Sequence, residues 1–426
     1  MAERAAHLVD SVFPHVPIRQ WVLSLPFKAR YCLAWNHDLT RAVLDVFWRE
    51  VERRYRRRAL EKGHKNPKAG GVTVIQRAGG AINLNVHFHM AALDGVFCEK
   101  IDGSLVFHRV NAPSTAEVEE IARTVSRKII RLFERKGLSL TDNEDAADPL
   151  ERTHPALAQA NSASIAQVIA FGKYRGQKVA QLLDLLDDHS AQTPPIKRKR
   201  HASIDGFDLH AGAPVPAHDR NRLERLLRYL LRPPIAESRM RKLPDGRIAL
   251  NLKTKWRNGA THVVFDPVDL IGKIAAIIPR PHINLIIYHG VLAPRAKWRK
   301  RAVVYGRPVP TLAVENADEE NPVETKEPGR YTDWATLMKR TFGLDVLECP
   351  KCHGRMKLIA LIDQPAVIQK ILKHLGLPAD IPRARPPPKD RQLGFWDEAS
   401  SQSPGDAFDF QTYSDGDIYD PKSYAE

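Results

Sequence analysis

Two histidines stand two residues apart in the stretch INLNVHFHMAALDG: His87 and His89, with Phe88 between them. The stretch alternates apolar and polar residues, the period of a β-strand whose successive side chains face opposite ways. Asn83, Asn85, His87 and His89 then share one face, while Ile82, Leu84, Val86, Phe88 and Met90 share the other and pack on a core. Imidazoles at this spacing lie about 6–7 Å apart at their backbones. That is near enough to converge on one divalent cation, for which imidazole is a common ligand. A carboxylate or amide oxygen would complete a protein triad and leave positions open for substrate. A bare His-x-His also arises by chance in a chain with 17 histidines, where it is merely the polar face of an ordinary strand. Spacing alone leaves both readings open.

A second chemically capable group lies in DRNRLERLLRYLLRPPIA, residues 219–236. Leu223, Leu226, Leu227, Leu230 and Leu231 recur at helical spacing and form one buried stripe. Tyr229 points about 130° from the centre of that stripe, at ~100° per residue. Arg222, Arg225 and Arg232 fall near it on the same outer side. A phenolate among guanidinium groups suits phosphodiester chemistry: the oxygen can attack phosphorus, and arginine forks can hold the flanking phosphates. The plainer alternative is an exposed tyrosine resting its ring on arginine stems.

These residues need elements to position them. DLTRAVLDVFWREVERRYRRRALEKG, residues 38–63, reads as a helix ending in the arginine run 53–58, which is either a solvated helix end or a phosphate contact. VTVIQ, residues 72–76, reads as a strand, and RAGGA as the turn joining it to the histidine strand in an antiparallel hairpin. A second hairpin turns at Asp102-Gly103. Residues 114–137 form a helix with Ser114 as cap, Glu117 completing a capping box and Gly137 as stop. DGFDLHAGAPVP, GRIALNLK, THVVFDP and PHINLIIYHGVL read as further strands. TDNEDAADP and PPIKRKRH read as loop ends.

Bulk properties narrow the partners. The 426 residues suffice for two or three domains, and 65 Lys and Arg against 50 Asp and Glu give a net charge of +15. Such a chain suits polyanions, above all nucleic acid. Cys32, Cys98, Cys349 and Cys352 are too few for a disulfide framework. No apolar run reaches the roughly 20 residues of a membrane span, and MAERAAHLVD lacks a signal core. A cytosolic, nucleoid-associated protein is expected.

Several long segments, in order, resemble the His-hydrophobic-His (HUH) single-strand DNA endonucleases. The similarity is closest to rolling-circle transposases of the insertion-sequence ninety-one family and its single-tyrosine common-region relatives. The segments include FPHVPIRQWVLSLP, VIQRAGGAINLNVHFHMAALDGVF, GFDLHA, RLERLLRYLLRPPIA, THVVFDPVDLIGKIAAIIPRP, INLIIYHGVLAP and DVLECPKCHGRMKLIALI. The resemblance implies that His87 and His89 hold Mg²⁺ or Mn²⁺. It implies that Tyr229 is the nucleophile, leaving a 5′-phosphotyrosine and a free 3′-OH. Members with two tyrosines space them about one helical turn apart; here Arg225 and Pro233 flank a single Tyr229. Two chains, or one tyrosine used repeatedly, would serve both strand ends. For a third ligand, Gln76 is ranked slightly ahead of His210. Yet a tight RAGGA turn would pair Gln76 near Asn83, about 13 Å from His87, and only a wider turn or a bulge would bring it in. Family members usually begin with a cysteine-rich zinc domain, so the chain reads as truncated.

The expected fold is α+β: an HUH-endonuclease-like antiparallel sheet flanked by helices over 1–236. An accessory β-rich region (237–315), an acidic linker (316–330), a small module (331–378) and a disordered tail (379–426) would follow. The expected activity is metal-dependent cleavage and transfer of single-stranded DNA at element ends and target DNA, by a homodimer or a single chain. A relaxase or replication initiator, or an inactive DNA-binding relic, are the alternatives. A zinc hydrolase would need a glutamate beside the pair, and HFHMAALDG has none. Cys349-Pro-Lys-Cys352-His-Gly is half of a zinc knuckle; with no second cysteine pair, and His353 adjacent and badly placed, structural zinc is not expected from this chain alone.

Overall fold

The computed structural model describes residues 1–140, 149–172, 174–183, 199–252, 259–307, 332–360, 362, 364–377 and 379. The acidic patch 141–149 (apart from Pro149), most of PPIKRKRH, the 316–330 linker and, beyond 379, the tail lie outside these residues. Twelve strands are described: β1 (Ile18–Ser24), β2 (Gly70–Ala78), β3 (Leu84–Leu93), β4 (Gly95–Glu99), β5 (Leu105–Arg109) and β6 (Ala180–Leu183) come first. They are followed by β7 (His201–Ile204), β8 (Phe207–Val215), β9 (Met240–Lys242), β10 (Ile248–Asn251), β11 (Ala260–Phe265) and β12 (Ile286–Gly290). The helices are α1 (Ala2–His7), α2 (Phe27–Trp35), α3 (His37–Glu61), α4 (Thr115–Arg135), α5 (Pro149–Thr153) and α6 (Pro155–Ile165). The later ones are α7 (Arg220–Leu230), α8 (Pro267–Ile277), α9 (Arg299–Val303), α10 (Trp334–Phe342) and α11 (Pro365–His374). The chain is an α+β protein whose described residues divide into two units, one within 8–307 and one from 1–7 with those between 332 and 379.

The larger unit is organised on a six-stranded sheet in the order β12-β2-β3-β1-β8-β7, antiparallel at every pairing. Phe88 and Met90 of β3 lie opposite Ile75 of β2 and Leu23 and Trp21 of β1, so their side chains share one face. That face packs on α2, α3 and α4 through residues such as Leu33, Phe47, Val51, Val125 and Ile129. Burial of each large apolar side chain contributes about 1.5–3 kcal/mol. β-sheet pairing crosses residue 236 in both directions. β12 joins the main sheet beside β2, while β6 joins β9–β11 in a four-stranded sheet.

Local signals act as the residue types dictate. Asn36 caps α3, and Ser114 and Glu117 form the full capping box of α4. Asp102 accepts from the Ser104 backbone N–H in the β4–β5 turn, where Gly103 takes a φ of 79° that a side chain would disfavour. The arginine run of α3 is largely committed to protein partners. Arg54 and Arg58 reach Glu117 of α4, Arg57 reaches Glu120, and Arg53 pairs with Glu50. For Arg54, Arg57 and Arg58 the phosphate-contact reading gives way to helix–helix ion pairing, and for Arg53 to a pair within α3.

The second face of β3 is not wet. β3 is a central strand, and Asn83, Asn85 and His89 are buried, with His87 half-buried. The helix that begins after Asp219 stops at Leu230, ahead of Pro233-Pro234, since proline disfavours helical geometry in the residue before it. Among the described residues no helix is long and apolar enough to cross a membrane.

Candidate active site

The β2–β3 connection decides which donors meet. Gly79 donates to the Asn83 carbonyl, Ile82 donates back to Gly79 from a left-handed φ of 58°, and the register shifts between Gln76 and Ala78. The turn is thus wider than a tight RAGGA hairpin. Gln76 pairs directly with His87 rather than with Asn83, which removes the 13 Å separation expected for a tight turn. His89 faces Val74 on one side and Val22 on the other, and Val22 also faces His210 of β8. His210 is therefore two strands from His89, about 9–10 Å at the backbone.

The two imidazole rings lie 4.9 Å apart at their centroids. His87 Nδ1 is 2.9 Å from the Asn85 carbonyl. A carbonyl can only accept, so Nδ1 carries the proton and Nε2 the lone pair. His89 Nδ1 lies 2.9 Å from the Gln20 side-chain amide. The amide can donate through its nitrogen or, turned over, accept through its oxygen, so Gln20 governs the His89 tautomer. Burial, then the nearby His87 and Arg232, hold the His89 imidazole well below its ordinary pKa. It is therefore neutral at neutral pH, the form that ligates a cation. Gln20 carries no local sequence signal; only β1–β3 pairing brings it here.

The tyrosine arrives from α7, which closes over this face. Gln76 Nε2 donates to the Leu230 carbonyl at 2.8 Å, tying the end of α7 to the sheet. At the other end Arg220 donates to the carbonyls of Val9, Phe13 and Pro14, and burial lowers its pKa to about 10. Between these anchors Leu223, Leu226, Leu227 and Leu230 are buried, and Tyr229 is half-buried off the stripe. Its ring centroid stands 6.1 Å from that of His89, nearly perpendicular. Arg232 places its guanidinium 4.3 Å from the Tyr229 ring centre, from just beyond the helix rather than on it. Arg225 is exposed one turn before Tyr229, and Arg222 is half-buried near the capped start, where its backbone N–H donates to Asp219. The structure thus brings together His87, His89, Gln76, Tyr229 and Arg232, leaving Arg222 and Arg225 further along α7.

Two imidazoles and an amide oxygen fit a hard or borderline divalent cation. Among the described residues no group of three His, Cys, Asp or Glu could hold one, so any such site here depends on the amide.

An antiparallel α+β sheet bearing imidazoles, an amide and a phenol beneath a basic helix defines a protein equipped to handle a polyanion. A family model described as "Putative transposase" matches residues 70–300, more than half of the chain, and the chain belongs to that transposase family. DNA is accordingly its partner. No curated protein and no solved structure matches it. Gln76, His87, His89, His210, Tyr229 and Arg232 fall inside the matched stretch; Gln20 falls outside it.

Proposed function

We propose that this transposase is of the HUH rolling-circle type and nicks single-stranded DNA through Tyr229. The observation that carries the proposal is the meeting of Tyr229, His89, His87 and Gln76 on one sheet face, from segments separated by up to about 150 residues. In the proposed step the Tyr229 oxygen, having lost its proton to solvent, bonds to the scissile phosphorus. The bond from phosphorus to the 3′ oxygen breaks, and that oxygen takes up a proton. The products are a 5′-phosphotyrosine and a free 3′-OH. A later 3′-OH attacks the phosphotyrosine and restores the phenol, so one phosphodiester replaces another and no nucleotide hydrolysis is needed. A divalent cation held by His87, His89 and Gln76 would polarise the phosphate and stabilise the departing oxygen. Arg232 would offer its fork to an adjacent phosphate, with Arg225 and Arg222 extending the track along α7.

The test uses end-labelled single strands from the element's ends, with Mn²⁺, on a denaturing gel. A protein–DNA adduct that disappears in Tyr229→Phe and in His87→Ala is expected. Binding without adduct under the same conditions would support an inactive DNA-binding protein instead.

A further inference from the structure

The C-terminal unit carries a feature that DNA cleavage does not use. Cys349 and Cys352 sit on a turn whose ends, Glu348 and Arg355, form an antiparallel bridge. Cys349 N–H donates to Gly354 at 3.0 Å, and His353, with a left-handed φ of 57°, donates to the Cys349 carbonyl at 2.9 Å. The backbone N–H groups of Cys352 and Lys351, and the Cys352 thiol, donate to the Cys349 sulfur. A turn that aims two amides at one sulfur and draws a second thiol to it is preorganised for thiolate ligation.

The turn supplies two ligands, and tetrahedral structural zinc takes four. Among the described residues no third His, Cys, Asp or Glu is placed to join them. The other two cysteines serve the larger unit: Cys98 is buried in its core and Cys32 packs against that core. Residues 308–331 and 378–426 contain neither cysteine nor histidine. The same unit is short of a core of its own. α10 and α11 bury no residue, and Phe342, Leu358, Ile359, Ile371, Leu375 and Leu377 are all exposed. Apolar surface of this kind marks an interface.

We propose that the C-terminal unit is a zinc-bridged dimerisation module. Cys349 and Cys352 meet the same pair of a second copy around one Zn²⁺, and the exposed apolar residues of the two copies cover each other. A two-fold axis through the metal satisfies both needs at once, because it doubles the ligand pair to four and makes the apolar patch self-complementary. Each thiol that binds releases its proton to solvent. The exposed side chains of Lys351 and Lys357 offset the negative charge of four thiolates around a divalent ion.

The full chain is titrated with Zn²⁺ and, in parallel, with Co²⁺ while light scattering reports its mass. A dimer with one thiolate-bound metal per two chains is expected, with a four-thiolate cobalt spectrum and return to monomer on adding EDTA. His87→Ala with His89→Ala keeps this dimer and spectrum, separating the site from the histidine pair. Cys349→Ser with Cys352→Ser stays monomeric, and the EDTA arm reads the same loss on the unaltered chain should that variant misfold. One thiolate-bound metal per monomer, no thiolate-bound metal, or a dimer that survives EDTA would each overturn the proposal.

Discussion

Replacing Asp94 by Ala leaves a guanidinium without its counter-ion at the centre of the sheet. Arg19 of β1 donates to both carboxylate oxygens of Asp94, at 2.7 and 2.9 Å, and both side chains are 0% exposed. The same guanidinium donates to Gly212 of β8, and Tyr55 donates to Asp94 while accepting from Trp21. Burial, and then the Asp94 charge, push the Tyr55 phenol far above its ordinary range, so it stays a neutral donor. The network clamps β1, the end of β3 and β8, the strands that carry Gln20, His89 and His210. With no solvent to screen it, removing one partner of a buried pair costs about 3–5 kcal/mol. That is roughly a 10²–10⁴-fold shift of the unfolding equilibrium. Urea unfolding followed by tryptophan fluorescence, with Trp21 inside the network, reads the loss. Asp45→Ala, which breaks the exposed Arg49–Asp45 pair, should cost under about 1 kcal/mol. An Asp94→Ala loss no larger than that of the Asp45 control would refute the clamp.

Three other outcomes follow from the geometry. Gln20→Leu takes away the amide that governs the His89 tautomer, and should weaken Mn²⁺ binding by about 10–100-fold in calorimetry without unfolding the sheet; unchanged affinity would remove Gln20 from the site. His289 is buried against Trp48 and Thr73, and burial, then Arg41, lower its pKa from 6.5 to about 4. The unfolded chain therefore binds this proton first as pH falls from 6.5, so stability is lost progressively down to about pH 4, by about 3 kcal/mol from this group. His289→Gln should lessen the drop in urea midpoint between pH 7 and pH 4.5, and an equal drop in both proteins would contradict this. Arg232→Ala removes the guanidinium over Tyr229, worth about 0.5–2 kcal/mol, and should lower adduct yield in the gel assay while Arg49→Ala does not.

What the sequence could reveal depended on how local each cause is. The alternation of β3 marks Phe88 and Met90 as core and puts both histidines on the opposite face, because side-chain direction follows from the backbone alone. The Ser114–Glu117 box of α4 was legible for the same reason. The burial of the histidine face was not, since it follows from β1 and β2 flanking β3 and from α7 lying above. Whether Gln76 reaches His87 stayed open in the sequence, because a left-handed Ile82 and a register shift are set by how the turn packs. Gln20 and the Glu117 partner of Arg54 and Arg58 are invisible to any spacing rule, since these contacts span about 60–70 residues of chain. The family resemblance, carried by several ordered segments, pointed to a transposase, and the family match at 70–300 supports that at the coarser level.

The central claim is that Tyr229 becomes covalently joined to DNA. Mass spectrometry of the protease-digested adduct, formed with a single-stranded end sequence and Mn²⁺, tests it most directly. A nucleotide-bearing peptide containing Tyr229, phosphodiester-linked through its phenol to the 5′ side of the break, is expected. A nucleotide on any other residue, or cleavage that leaves no nucleotide on the protein, would contradict it.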